Sequence, residues 1–261
     1  MNPPLVLVEQ RAGALVVTLN RPEQSNALSE ALVRQLSEVG ARLPSYSGVR
    51  AVILTGSGRR SFCAGADLKE RRLMSVDDVR RMLGLYRTGL SWLDESPIPV
   101  IAAINGAALG GGLELALLCD LRVAVPGAML GLPETSLGII PAAGGTQRLP
   151  RLIGEARAKE LILLASKITA EQALAFGLVN RVCAPGLDVV EDTLNWISPL
   201  LDGAPLSARA ALMAIDAART LSIDEGLNVE LDAYELCLRS EDRKEALLAF
   251  AEKRKPQFRG C

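Results

Sequence analysis

Histidine is absent from this sequence, and aromatic residues make up only 3% of its 261 residues. Without an imidazole the chain forms neither a Ser-His-Asp triad nor a His-ligated metal site, so other side chains must carry any protons. The five cysteines form no C-x-x-C pair, and their odd number argues against a disulfide framework or a zinc site. We therefore predict reduced thiols, no metal and a cytoplasmic location.

An excess of positive charge is missing as well. Lysine and arginine total 29 against 30 aspartates and glutamates, and no run of five basic residues occurs, so no general attraction to nucleic acid or anionic lipid is built in. The longest uncharged apolar stretch, residues 100–113, is interrupted by Asn105 and several glycines and is too short to span a bilayer. The first residues show no basic region followed by an apolar one, so we expect no export signal and no membrane segment.

The 49% apolar composition suffices for a large buried core, and short apolar runs alternate with longer amphipathic ones. Four buried strands are predicted on this basis: Leu15–Leu19, Ala51–Thr55, Val100–Ile104 and Leu121–Val125. Between them, apolar residues at helical spacing predict helices over Ser29–Leu43 and Ser75–Leu93. This strand-then-helix repetition predicts an α/β fold.

The strand pattern stops near residue 186, and helix start signals take its place. Ser222 and Ser240 are each followed by acidic residues in the predicted first turn of a helix. Thr169 and Gln172 give an earlier capping box. We predict an α/β core over residues 1–195 and a C-terminal helical region over residues 196–261.

Glycine is concentrated in one turn, Gly110-Gly111-Gly112, shortly after the predicted strand Val100–Ile104. A dinucleotide fingerprint would need a further glycine at the position of Leu115, and neither a P-loop nor a G-x-S-x-G elbow occurs, so these three sites are excluded. Two interpretations remain. The glycines either permit tight packing of a helix against a strand, or they let backbone N–H groups at a helix start approach a ligand oxygen.

Two glutamates lie in the same part of the chain. Glu114 follows the glycine turn, where a carboxylate is either a partner of the helix dipole or a positioned base. Glu134 follows Pro133 in an apolar setting, and it is either a helix N-terminal acid or a second proton carrier. Small-residue loops at residues 62–67 and 141–145 are further places where backbone can contact a ligand.

Five motifs follow one another in a dense and ordered series. They are Phe62-Cys63-Ala64-Gly65-Ala66-Asp67-Leu68, Ile101-Ala102-Ala103-Ile104-Asn105-Gly106, Gly110-Gly111-Gly112-Leu113-Glu114-Leu115, Pro133-Glu134 and Gly144-Gly145-Thr146-Gln147-Arg148-Leu149-Pro150. This series resembles the signature of the crotonase family, the enoyl-CoA hydratases and isomerases. The resemblance covers nearly the whole chain and implies a spiral of ββα units whose C-terminal helices build a trimer, usually paired into a hexamer.

The resemblance also implies roles for residues that contact an acyl-CoA substrate. The backbone N–H groups of Ala66 and Gly111 match the oxyanion hole, which holds the thioester oxygen as it becomes enolate-like. Glu114 and Glu134 match the two hydratase glutamates, with Glu114 acting on water and Glu134 on Cα. The N–H of Ala142 matches a position that helps to hold the water. No cofactor is implied, because coenzyme A is part of the substrate.

Contacts to coenzyme A are implied at the entrance of the same site. The resemblance suggests residues near Ser25 and Asn26, the Ala64 backbone against the adenine, and the basic tail of a neighbouring subunit, including Lys253. Ser25 occupies a position where lysine is common in the family. The phosphate contact therefore passes, in this interpretation, to one of two other cations, Arg21 or Arg254.

Within the family, residues 62–71, 109–124 and 145–151 are most similar to methylglutaconyl-CoA hydratases. Their substrate carries a second carboxylate, which requires a cation or several donors in the acyl pocket. The candidate cations are Arg71, Arg72 and Arg87.

Three alternatives stay open beside this interpretation. Hydration of the short-chain substrate crotonyl-CoA is the runner-up. Isomerisation of an enoyl-CoA is another, since isomerases use a single base at the position of Glu134. One branch of the family binds AU-rich RNA, and this is the third alternative, but a net charge of −1 and few aromatic residues argue against a nucleic-acid partner for this chain.

Overall fold

The computed structural model describes residues 3–261, and this part of the chain contains ten strands. The strands are β1 Val6–Arg11, β2 Ala14–Leu19, β3 Ala51–Gly56, β4 Ser61–Cys63, β5 Val100–Ile104, β6 Ala107–Leu109, β7 Leu121–Ala124, β8 Met129–Gly131, β9 Lys167–Thr169 and β10 Arg181–Val182. They form a larger sheet in the order β1-β2-β3-β5-β7-β10 and a smaller sheet in the order β4-β6-β8-β9.

Twelve α-helices and several short 3-10 helices connect and cover the strands of residues 3–261. The α-helices are α1 Glu30–Arg42, α2 Leu68–Arg71, α3 Val76–Gly89, α4 Gly111–Leu117, α5 Gly145–Ile153, α6 Glu155–Leu163, α7 Ala170–Ala175, α8 Val189–Trp196, α9 Ser198–Asp202, α10 Pro205–Ala217, α11 Ile223–Leu238 and α12 Glu241–Glu252. The 3-10 helices are Pro22–Gln24, Leu43–Ser45, Ser91–Leu93 and Glu134–Leu137.

The chain repeats a long strand, a short strand and a helix three times. β3, β5 and β7 are parallel neighbours in the larger sheet, and β4, β6 and β8 are parallel neighbours in the smaller one. Each long strand is followed by its short strand and then by a helix, which gives the units β3-β4-α2/α3, β5-β6-α4 and β7-β8-α5. This arrangement confirms the predicted spiral of ββα units.

The four predicted strands are confirmed as β2, β3, β5 and β7, with ends that agree within one residue. All residues of β3 and β5 are buried, because a parallel strand is covered on both faces, and this explains their continuous apolar runs. Helix α1 begins after Ser29, whose side chain accepts from the N–H of Leu32. Helix α3 begins with a capping box between Ser75 and Asp78, and it ends at Gly89, before the predicted limit.

The prediction missed two short strands, because the segments that follow β3 and β5 were interpreted as turns and loops. β4 lies in the segment interpreted as a small-residue loop, and β6 lies between Asn105 and Gly110. Strands of three residues offer too few positions to show a period of two. Helix α4 also begins at Gly111, so two of the three glycines belong to its first turn.

Helices alone follow β10 in the structure. Helix α8 still packs on the larger sheet through Val189, Val190 and Leu194, and the predicted boundary at residue 195 falls within this helix. The predicted caps Ser222 and Ser240 accept from N–H groups in the first turns of α11 and α12. None of the helices in residues 3–261 combines the length and apolar character needed to cross a bilayer.

Candidate active site

One pocket brings together both glutamates and both oxyanion-hole residues that the sequence predicted. Its volume is about 440 Å³. Glu114 and Glu134 line it together with the backbone of residues 64–66, 110–111 and 142–143. Most of the remaining wall is aliphatic, and it consists of Leu68, Val79, Leu83, Leu137, Ile139 and Ile140. The pocket therefore combines ionisable groups with a surface suited to an apolar chain.

Two backbone N–H groups face this pocket without a backbone acceptor. The N–H of Leu28 donates to the carbonyl of Gly65 and the N–H of Asp67 donates to the carbonyl of Leu28, which leaves the N–H of Ala66 unused. Gly111 is the first residue of α4, so its N–H has no partner within the helix. A Cβ built on Gly111 would lie 3.5 Å from the nitrogen of Ala66. The two donors are thus neighbours, as an oxyanion hole requires.

The loop that carries Ala66 is held by an ion pair. Nη2 of Arg21 lies 2.9 Å from Oδ2 of Asp67, and Nη1 of Arg21 donates to the carbonyl of Ala27. Asp67 also caps α2 by accepting from the N–H groups of Lys69 and Glu70. Burial would raise the pKa of Asp67, but Arg21 and the backbone donors outweigh it and hold this pKa below its ordinary value. The carboxylate is therefore an ionised anchor for the loop.

Glu114 lies in the first turns of α4, and only 3% of its surface is exposed. Its Oε1 accepts from the N–H of Ala143 at 2.8 Å and from the N–H of Gly145 at 2.7 Å. Burial raises the pKa of Glu114, while the N–H groups of Gly145, Ala143 and Ala142 oppose this rise because they stabilise the anion. The carboxylate is thus fixed through one oxygen.

Glu134 is the first residue of the 3-10 helix that follows Pro133, as the helix-start interpretation predicted. Only 9% of its surface is exposed, and its buried Oε2 has no hydrogen-bond partner. Burial, with a smaller contribution from the negative charge of Glu114, raises the pKa of Glu134 to about 7. A carboxyl with this pKa exchanges protons readily near neutral pH.

The entrance residues predicted to contact coenzyme A divide into two groups. Ala64 lines the pocket and its N–H donates to the carbonyl of Ser25 at 3.0 Å, so Ser25 lies next to the pocket although it is not one of the lining residues. Lys253 is exposed at the end of α12 and does not line the pocket of its own protomer.

The prediction for Asn26 was wrong. Asn26 has no exposed surface, and its side chain bonds to the backbone of Arg21, Ser57 and Ser61. It therefore holds the loop instead of meeting a ligand. The two alternative cations are also engaged, since Arg21 pairs with Asp67 as described and Arg254 pairs with Glu245 and Glu252.

The sequence interpretation did not find the aliphatic and aromatic wall. Ile139 and Ile140 are two large apolar residues side by side in a loop, and both are exposed. Such a pair in a loop indicates a ligand contact, and this local signal was missed. Tyr86 on α3 also lines the pocket, and it gave no signal because its spacing matched the core pattern of that helix. Of the three arginines proposed for the acyl pocket, Arg71 lines it, whereas Arg72 and Arg87 do not.

Comparison with known proteins places this geometry in a family. The family model described as enoyl-CoA hydratase/isomerase matches residues 9–261. A putative enoyl-CoA hydratase/isomerase of Bacillus subtilis is 47% identical over 245 residues, which is 94% of each chain. The mitochondrial methylglutaconyl-CoA hydratase of Mus musculus is 41% identical over 257 residues, covering 97% of this chain and 82% of that protein.

A solved structure extends the similarity to three dimensions. The crystal structure of an enoyl-CoA hydratase from Bacillus anthracis superimposes with a TM-score of 0.95 at 44% identity, covering 98% of this chain and all of the other. The fold, the chain-long sequence match and a pocket with paired glutamates agree with one another. The chain therefore belongs to the enoyl-CoA hydratase/isomerase family.

Proposed function

We propose that this enzyme adds water across the Cα=Cβ bond of an enoyl-CoA, with 3-methylglutaconyl-CoA as its substrate and 3-hydroxy-3-methylglutaryl-CoA as its product. The reverse dehydration follows from the same groups. The observation that carries the proposal is the pair of buried glutamates, Glu114 and Glu134, facing one pocket beside the free N–H groups of Ala66 and Gly111. An isomerase that uses one base has no need of the second carboxylate.

In the proposed reaction, the thioester oxygen lies between the N–H groups of Ala66 and Gly111. Glu114 removes a proton from water as the water oxygen bonds to Cβ, and the π electrons move to the thioester oxygen, where the two donors stabilise the enolate. The enolate then collapses, and Cα takes the proton of Glu134. Glu114 ends protonated and Glu134 ionised, and proton exchange with solvent restores both.

The different environments of the glutamates support this division of roles. The N–H groups that hold Oε1 of Glu114 favour its anion and leave its second oxygen for the water proton. Glu134 has a pKa of about 7, so a substantial fraction carries a proton at neutral pH. Hydration needs one carboxylate that accepts a proton from water and one carboxyl group that donates a proton to Cα. In dehydration each group takes the opposite role.

The substrate assignment is supported by the similarity to the Mus musculus methylglutaconyl-CoA hydratase. The Bacillus subtilis relative carries only the general name of the family, so crotonyl-CoA hydration is the second candidate. Comparing kcat/KM for 3-methylglutaconyl-CoA and crotonyl-CoA, through loss of the conjugated thioester absorbance, tests the choice. Equal rates, or a preference for crotonyl-CoA, would contradict the narrower assignment.

Substitution of each glutamate tests the mechanism. Glu114→Gln and Glu134→Gln should each lower kcat for hydration on the order of 10² to 10⁴-fold, because each removes one proton transfer. Glu155→Gln, an exposed change in α6, is the matched control and should keep full activity. Hydration that survives in Glu114→Gln would contradict the role of that residue. A 3-enoyl-CoA shifted to 2-enoyl-CoA faster than water is added would favour an isomerase.

We also propose that the enzyme assembles as a homotrimer, alone or paired into a hexamer. Large apolar side chains on α10, α11 and α12 are exposed in the protomer, namely Ile215, Ile223, Leu227, Leu231, Tyr234 and Phe250. Exposed large apolar side chains in this number are typical of helices that form a subunit interface. In such an assembly Lys253 of one subunit would contact coenzyme A in the next. Light scattering during size-exclusion chromatography gives the mass, and a monomer at micromolar concentration would contradict the assembly.

A cytoplasmic location belongs to the same proposal. It is supported by the five cysteines, all of which are free thiols in the structure.

A further inference from the structure

A single cation lines the otherwise apolar acyl side of the pocket. Arg71 is the last residue of α2 and shares the pocket with Leu68 and with Val79 and Leu83 of α3. Of the pocket residues in the described chain, Arg71 is the only lysine or arginine. Its side chain is thus placed where the acyl chain of a substrate would lie, on the wall beside the two glutamates.

Arg71 has no carboxylate partner. The ion pairs found in residues 3–261 do not include it, although the nearby Arg21 and Arg148 are paired with Asp67 and Asp94. A guanidinium half-buried beside aliphatic side chains loses hydration, and a carboxylate would offset that loss. No carboxylate of residues 3–261 pairs with Arg71, so a bound anion would stabilise its guanidinium in this pocket.

Tyr86 lines the same pocket and lies close enough to Arg71 for the two groups to interact electrostatically. The side chain of Tyr86 is 5% exposed, and its O–H donates to the carbonyl of Leu28 at 3.1 Å. Burial raises the pKa of Tyr86 to about 12, while the charge of Arg71 opposes the rise, so the phenol stays neutral. Because the phenol is neutral and its proton is already donated to Leu28, Tyr86 does not neutralise the guanidinium of Arg71.

The other two candidate arginines lack this setting. Arg72 is exposed and lies outside the pocket, and Arg87 is exposed and borders a neighbouring cavity. The guanidinium of arginine offers parallel N–H donors that match both oxygens of a carboxylate. Only Arg71 combines this chemistry with a position on the acyl wall.

We propose that Arg71 binds a carboxylate at the far end of the acyl chain and thereby selects dicarboxylic enoyl-CoA substrates. This inference rests on the proposed function, since it requires the acyl chain to enter this pocket with its thioester at Ala66 and Gly111. Arg71 is accordingly a specificity residue, and it takes no part in proton transfer.

The test compares two substrates that differ only in the carboxylate: 3-methylglutaconyl-CoA and 3-methylcrotonyl-CoA, which lacks the terminal carboxyl group. Arg71→Gln should lower the ratio of their kcat/KM values on the order of 100-fold, since a charge-assisted contact is lost for one substrate alone. The ratio for Arg71→Lys should lie between those of wild type and Arg71→Gln, because lysine keeps the positive charge but lacks the paired N–H donors. Arg72→Gln, one residue away and outside the pocket, is the control and should leave the ratio unchanged.

Inhibition gives a second readout that does not depend on turnover. Glutaryl-CoA should bind the wild-type enzyme more tightly than butyryl-CoA, and Arg71→Gln should remove this difference while the thermal unfolding temperature stays close to that of wild type. A substitution that lowers both kcat/KM values equally would overturn the proposal and leave the hydratase assignment intact. A wild-type enzyme that hydrates neither substrate would instead overturn the proposed function, and the substrate class with it.

Discussion

Replacing Gly110 by alanine should damage catalysis much more than folding. Gly110 caps α4 with φ of 54° and ψ of −130°, and a Cβ at this position would lie 2.9 Å from Oε1 and 3.4 Å from Cδ of Glu134. The distance to Oε1 is too short for a stable contact. However, the carboxylate is the end of a flexible side chain and can rotate away. Glu134 would then leave the position from which it is proposed to serve Cα.

The magnitudes separate the two effects. An alanine held in this sparsely populated φ/ψ region costs about 1–3 kcal/mol of stability, which a chain of this size tolerates. Losing a positioned proton donor lowers kcat on the order of 10² to 10⁴-fold. The assay is hydration at saturating substrate for Gly110→Ala and wild type, together with urea unfolding of both. A Gly110→Ala enzyme with wild-type kcat would refute the placement of Glu134 at the reacting carbon.

Two other glycines serve as controls for this experiment. A Cβ on Gly112 would lie 2.0 Å from the carbonyl oxygen of Cys63, which is backbone in β4 and cannot rotate away. Gly112→Ala should therefore fail to fold stably. Gly84 in α3 has no atom within 4 Å of an added Cβ, so Gly84→Ala should keep full activity and gain about 0.5–1 kcal/mol of helix stability. If Gly110→Ala and Gly112→Ala unfold alike, the distinction between flexible and rigid neighbours is wrong.

Three further predictions follow from the site. Because burial raises the pKa of Glu134 from 4.5 to about 7, its contribution to stability is complete below pH 4.5 and is lost as the pH rises towards 7. The glutamine of Glu134→Gln does not titrate, so the unfolding temperature of this variant relative to that of wild type should rise between pH 5 and pH 8. A difference that stays constant with pH would show that the pKa of Glu134 is not raised. Arg21→Met leaves Asp67 in a largely buried position without its partner, so urea unfolding should show that the free energy of unfolding falls by about 3 kcal/mol. Arg34→Met breaks an exposed ion pair and is the control, and it should lower the free energy of unfolding by less than about 0.5 kcal/mol. Lys253→Ala should raise KM for CoA thioesters but leave KM for acyl-pantetheine thioesters unchanged. An equal change in both would contradict the proposed contact of Lys253 with the nucleotide part of coenzyme A.

Periodicity predicted four of the six strands of the larger sheet, because each of these four strands buries a continuous apolar run. β5 matches its predicted range at both ends, and β2, β3 and β7 differ from theirs by one residue at a single end. The helix starts at Ser29 and Ser75 could also be predicted from sequence, because the serine hydroxyl accepts from the N–H of a residue only three positions later. These features depend on neighbours in sequence, so sequence alone contains them.

The errors occurred where a residue is defined by a distant partner. Asn26 was expected at the ligand, but it is buried by contacts with Ser57 and Ser61, and Arg21 pairs with Asp67. The short strands of the smaller sheet gave no signal either, because their order comes from pairing with one another. No local pattern reports contacts of this kind.

The sequence by itself determined which chemistry is possible: without histidine, carboxylates must move the protons, and the glycine turn before Glu114 permits close approach to backbone N–H groups. The tertiary structure decided where these groups act. Pairing of β6 with β8 brings Glu114, in the helix after β6, and Glu134, after β8, into one pocket, and their burial there changes their pKa values. It also left Arg71 on the acyl wall without a carboxylate, while Arg72, the next residue, is in solvent. Burial and proximity arise from contacts between segments far apart in the chain, and for that reason only the folded structure could decide them.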